Sequence, residues 1–226
     1  MFKLIYLFPA CFLSVIALCG QTESRYSITW NGQRLTPPPG VDTALASRLR
    51  DGGAAKVHVI VQFHAVPGDR ERTALAVRGL ALHQYLGGNS YLAAVAANSE
   101  AGLAAAQGTL SGVRGVLSLR AESKLSERLR GGGAPVWARA GNGEIDVEVV
   151  YHADLALAEA EAAVTVSGGR VLRRSEAFQR LTARIPLPQV KRLAEQEAVA
   201  FVDSIPAPFQ TKNNTTSAAM MKVDTV

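Results

Sequence analysis

The sequence predicts an α+β fold built from two tandem units, and three observations carry that reading. Val57-His58-Val59-Ile60-Val61-Gln62-Phe63-His64-Ala65 alternates apolar residues with period two. Ile145-Asp146-Val147-Glu148-Val149-Val150-Tyr151-His152-Ala153 repeats the pattern in the same phase, Ile145 standing 88 positions after Val57. The segments that follow repeat in the same order. Finally, 226 residues, 48% hydrophobic and 19% charged, can bury two small cores and are not a disordered composition.

Residues 1–20 hold one charge, Lys3, before an apolar run from Leu4 to Leu18 that Pro9 interrupts. A positive start, an apolar stretch and small residues describe a signal peptide, and the run is short for a membrane span. Ala17 and Cys19 fit a small-x-small cleavage site. Lipidation of Cys19 fits less well, because Leu18 stands where a lipoprotein box has a small residue, and an uncleaved anchor is the remaining alternative. The expectation is a secreted or periplasmic protein with no stable membrane span after cleavage. Both cysteines, Cys11 and Cys19, lie in this leader, so a chain cut after Cys19 has no disulfide and no thiolate metal site.

Residues 21–55 read as a polar lead-in, with a turn at Trp30-Asn31-Gly32, a break at Pro37-Pro38-Pro39-Gly40 and a short helix from Asp42 to Arg50. The first unit spans 56–123. Its opening strand is followed by a helix from Pro67 to Arg78, with Asp69 near its start and Gly79 as its stop. Strands Leu80–Leu86 and Tyr91–Ala97 come next, then a helix from Ser99 to Leu110 with Ser99 as N-cap, and a strand from Val113 to Leu119. A linker over 124–144 carries Gly131-Gly132-Gly133 and Gly141-Asn142-Gly143 and reads as a flexible connection.

The second unit, 145–206, repeats the series: helix Asp154–Val166, strands Arg170–Arg174 and Gln179–Ile185, helix Pro188–Gln196 and strand Val199–Ile205. The order β-α-β-β-α-β, twice, is that of tandem ferredoxin-like domains, each an antiparallel sheet with two helices on one face. The other faces would present His58, Ile60, Gln62 and His64 in the first unit and Asp146, Glu148, Val150 and His152 in the second. Such mixed surfaces suit either docking on a partner or ordinary solvation.

Few catalytic parts are present. His58 and His64 are six apart on one strand face, about 20 Å by strand rise, so they cannot share a metal. Metalloprotease, nucleophile-elbow and phosphate-loop motifs are absent, and Gly141-Asn142-Gly143 precedes a strand where a dinucleotide site needs a helix. No cofactor or metal set is expected. A net charge of +5 is too mild to mark a nucleic-acid binder, and the third strands lack the aromatic-rich motif on which RNA-binding sheets stack bases.

Leu181-Thr182-Ala183-Arg184-Ile185-Pro186, then Val190 and Leu193-Ala194, then Val199-Ala200-Phe201-Val202-Asp203 resembles the end of a subtilisin-family propeptide; the first unit resembles it more loosely through Val113 and Val116. The duplicated arrangement is similar to ferredoxin-like prodomains ahead of secreted subtilisin-like serine peptidases, and the resemblance covers about 150 residues. It implies an intramolecular chaperone and inhibitor whose sheet packs on the peptidase and whose tail adds as a strand in the active-site cleft.

The matching tail is Pro206, Ala207, Pro208, Phe209 and Gln210, with Phe209 as pocket-filler and the two prolines each removing an amide donor. Residues 207–226 read as an approach to a peptidase domain. That domain's Asp, His and Ser motifs are absent from this chain, so the chain is expected to be no enzyme. It is either a stand-alone partner or the front of a truncated peptidase precursor, distinguishable by the reading frame after Val226. The alternative is a non-enzymatic extracytoplasmic ligand-binding or scaffold module with a pocket between the repeats.

Overall fold

The computed structural model describes residues 25–52 and 55–208. The leader expected over 1–20, with both cysteines, lies outside these residues, as does the tail from Phe209 onward. The fold is α+β. Among the described residues no helix is long and apolar enough to cross a membrane.

The first half begins with a hairpin, β1 (Ile28–Trp30) and β2 (Gln33–Leu35), turned at Asn31 and Gly32, both at positive φ. A two-residue strand β3 (Gly40–Val41) leads into α1 (Thr43–Asp51), whose Leu45 amide donates to Asp42 Oδ1 at 2.8 Å. Next come β4 (Lys56–Phe63), α2 (Asp69–Val77), β5 (Leu80–Gly87), β6 (Ser90–Ala96), α3 (Glu100–Gln107) and β7 (Val113–Ser118). Ser99 caps α3 as expected, its hydroxyl accepting from the Gly102 amide at 3.0 Å. The sheet order is β3-β7-β4-β6-β5, antiparallel except for the parallel β3–β7 pair.

The second half comprises α4 (Ala121–Lys124), α5 (Glu127–Arg130), β8 (Arg139–Gly141), β9 (Glu144–Tyr151), α6 (Leu157–Val166), β10 (Arg170–Ser175), β11 (Arg180–Pro186), α7 (Val190–Glu195) and β12 (Val199–Ser204). Its sheet runs β10-β11-β9-β12, with β8 paired to β9. The two halves therefore share one strand order, with the first strand of each inside the sheet between the third and the fourth.

The strand phases are as the alternation predicts. Val57, Val59, Val61 and Phe63 enter one core with Leu45, Leu49, Leu75 and Ala105; Ile145, Val147, Val149 and Tyr151 enter the other with Val164, Leu193 and Val202. Three features differ from the sequence reading. Residues 124–144 are no loose tether: Leu125, Leu129 and Ala134 are buried in the second core, and Leu125 forms a parallel bridge with Val202 of β12. That bridge mirrors β3 on β7, so Val41-Asp42-x-x-Leu45 and Leu125-Ser126-x-x-Leu129 are equivalent strand-and-cap segments. The helix expected from Asp154 starts at Leu157, because Asp154 is held elsewhere; Glu159 accepts from the Ala156 amide at 3.1 Å instead.

The first sheet's second face, expected to be free, is covered. Ile28 and Trp30 of the hairpin pack on Ile60, Leu92 and Leu119. Gln62 is fully buried beneath them, its two Nε2 protons shared among Tyr26 O, Gly88 O and Ser90 Oγ, each at 2.9 Å, while Arg114 donates to its Oε1. A buried amide with its donors and acceptor satisfied ties the lead-in to the sheet.

Candidate functional site

Between the halves lies a cluster of charged and ring side chains. His58, near the start of β4, is 2% exposed; His152, just past β9, is 3% exposed. Their rings stack with centroids 3.7 Å apart and planes 1° from parallel. His58 Nε2 lies 2.8 Å from Asp154 Oδ1 and its Nδ1 lies 3.2 Å from Glu197 Oε1. Ionised carboxylates only accept, so both contacts are hydrogen bonds when both ring nitrogens carry protons. The His58 amide also donates to Glu197 Oε1 at 2.5 Å.

Around this centre, Lys56 Nζ donates to Asp154 Oδ2 at 3.1 Å and Arg48 Nη2 to Glu197 Oε2 at 2.5 Å. Lys124, 2% exposed, donates to Gln196 O at 3.0 Å. His58, Lys56 and Arg48 belong to the first half; His152, Asp154, Glu197 and Lys124 belong to the second.

The electrostatics follow from burial and pairing. Burial works against ionising Asp154, but the hydrogen bonds from His58 and Lys56 outweigh it and bring its carboxyl down to about 2. Burial opposes Glu197 likewise, and the bonds from the His58 ring and amide, with Lys124 and Arg48 nearby, bring it to about 2. For His152 burial leads and the charges of His58 and Lys124 add to it, so its pKa falls to about 3. Burial lowers Lys124 to about 8.

Two clefts flank the cluster. One, of about 460 Å³, is bounded by Lys56, His58, Asp154, Ala163, Val166 and Glu197. The other, also about 460 Å³, opens beside Trp30, His83, Leu86, Tyr151, His152 and Phe201. Both nitrogens of His58 are committed to carboxylates, so it offers no free base to a substrate in either cleft. Among the described residues no group of three or more His, Cys, Asp or Glu is placed to hold a metal ion.

A second surface lies on the β9–β12 sheet. The residues of β9 alternate between buried and half-exposed, and the half-exposed set carries cross-strand ion pairs. Asp146 accepts two bonds from Arg184, at 2.6 and 2.8 Å; Glu148 pairs with Arg180 at 3.0 Å and Glu144 with Arg170 at 2.9 Å. Leu172 and Phe178 are exposed, Phe178 by 71%. The chain leaves β12 beside this sheet: the Ile205 amide donates to Asp146 O at 3.2 Å and Trp137 Nε1 to Ile205 O at 3.0 Å.

Beyond that anchor Pro206, Ala207 and Pro208 are exposed and without regular structure. Phe209 and Gln210 lie outside the described residues. Of the four histidines, His64 and His152 recur in register, yet the structure stacks His152 on His58. Sequence spacing holds no signal for that pairing, which arises only when the halves meet.

Comparison with known proteins adds one match. Residues 29–120 match the family described as Domain of unknown function (DUF8729), fewer than half of the 226 residues. The matched stretch runs from the β1–β2 hairpin through β7, the span that packs as the first half. No curated protein and no solved structure matches the chain.

Proposed function

We propose that this protein is propeptide-like: a tandem ferredoxin-like chain that docks on a subtilisin-like serine peptidase, assisting its folding and blocking its cleft. The asymmetry between the two sheets carries the reading. The first sheet's second face is filled by the hairpin, whereas the corresponding face of the second stays half-exposed beside the strand from which the tail departs. Docking of that face with the tail laid out as an added strand is β-augmentation, in which main-chain hydrogen bonds supply affinity. The protein acts by binding and performs no chemistry of its own, as a secreted or periplasmic partner.

Titrating the purified chain into a subtilisin and following peptide hydrolysis, with size-exclusion chromatography of the mixture, tests this. Stoichiometric inhibition and a co-eluting complex are expected. Neither complex nor inhibition at micromolar concentrations would overturn the reading.

One observation favours a second reading, a ligand-binding or scaffold module. The cleft beside Trp30, Tyr151, His152 and Phe201 sits between the halves, and Trp30 Nε1 and His152 Nε2 are buried there without a hydrogen-bond partner. Thermal stabilisation by small amphipathic compounds, with no effect on the peptidase, would favour it.

A further inference from the structure

We propose that the His58–His152 stack is an acid-sensitive latch between the two halves: closed near neutral pH, released as protons enter the pair. The inference is independent of peptidase docking. It stands on the placement of the two rings, one from each half, in face-to-face contact and almost wholly removed from water.

The groups facing the pair come from every element packed around it. Lys56 shares β4 with His58, and His83 lies on β5; Arg48 of α1 reaches Glu197 from the first half. The second half supplies Asp154 after β9, Glu197 after α7 and Lys124 on α4. Asp154 and Glu197 together satisfy one protonated imidazole, His58. They leave none for a second, since their remaining oxygens bind Lys56 and Arg48. A proton on His152 therefore sets two cations against one another at 3.7 Å, in a site where Lys124 adds a third positive charge nearby.

Opening relieves this, because a water-exposed His152 takes its proton at the ordinary histidine pKa. Linkage fixes the direction. The open arrangement binds one more proton than the closed one below about pH 6.5, so the opening equilibrium rises by up to about tenfold per pH unit of acidification. The carboxylates resist protonation over most of that window, so the histidines drive release: His152, the more deeply buried, leads, and His83, whose pKa burial also lowers, adds to it.

Hydrogen exchange on the full chain reads the event directly. The His58 amide donates across the interface to Glu197 and reports opening, while amides of Val61 and Val149 report the two cores. Corrected for intrinsic rates, protection at the His58 amide should fall by up to about tenfold per pH unit between pH 6.5 and 4, with the core amides still protected. His152→Phe keeps the stacked ring without the titrating nitrogen and should weaken that dependence, leaving the smaller part due to His83; His152→Asn, smaller and equally untitratable, should weaken it as well. Constant protection of the wild-type amide from pH 7 to 4 would overturn the proposal. The same acid response in both variants, or loss of core protection in step with His58, would also overturn it.

Discussion

The ring of His58 lies parallel to that of His152, 3.7 Å away, so the two halves touch through a pair of imidazole rings. Carboxylates from the second half grip the first ring at both nitrogens, and the second ring is gripped by none of them. The interface is thus built around a charge-sensitive contact, and its neighbours are where substitution should tell most.

Asp154→Ala removes the acceptor for His58 Nε2 and Lys56 and leaves a buried donor without a partner. A loss of about 3 kcal/mol in denaturant unfolding is expected. Asp154→Asn, which keeps an accepting oxygen, should lose less.

Stability should fall in acid in two stages. His152 has a folded pKa near 3, below its unfolded value of about 6.5, so its contribution is complete above pH 6.5 and is lost as pH drops toward 3. Asp154 and Glu197, near 2 when folded, add a second loss as pH falls from about 4.5 toward 2. Each group contributes at most about 1.4 kcal/mol per pH unit. Urea midpoints measured from pH 8 to 2 should show both stages, and His152→Phe should lose most of the first, His83 keeping the remainder.

Ile60→Ala opens a cavity beneath the hairpin, where Ile60 is 1% exposed against Ile28 and Trp30. A cost of about 3 kcal/mol is expected. Exchange should accelerate at Ile28 and Trp30 before it does in the β4 core.

Gly115→Ala should detach β3. A Cβ there would lie 2.5 Å from Pro38 O and 3.1 Å from Gly40 O, backbone atoms that move only if the strand moves. A loss of roughly 1–3 kcal/mol is expected, with selective loss of protection at Gly40 and Val41.

Phe178→Ala should separate docking from folding. The ring is exposed at the end of the half-open sheet, so stability should change by less than about 0.5 kcal/mol. Peptidase inhibition should weaken at least tenfold if that face makes the contact, as a competition assay would show.

Much of this architecture is legible in the sequence because one face of each sheet lies against helices, which keeps Val57, Val59, Val61 and Phe63, and Ile145, Val147, Val149 and Tyr151, apolar at every second position. Ser99 and Asp42 announce their helices by local hydrogen bonding alone. The short parallel pairings at Val41 and Leu125 escape notice because each is two residues or fewer and Leu125 follows Val41 by 84 positions, whereas the opening strands stand 88 apart. Gln62 falls on the face read as open to a partner or to solvent, yet the hairpin of the same chain buries it with full hydrogen bonding. The His58–His152 pair depends on how the two cores meet, which no local pattern encodes.

The hairpin over the first sheet makes the duplication unequal. In one copy that sheet face is interior, and a polar replacement at Ile60 would be purged for the sake of folding. In the other copy the corresponding positions of β9 from Glu144 to Val150 stay half-exposed, and only His152 beyond them is buried. Two copies of one framework therefore answer to different constraints: the first is held by its own chain, and the second is open to being shaped by whatever it meets.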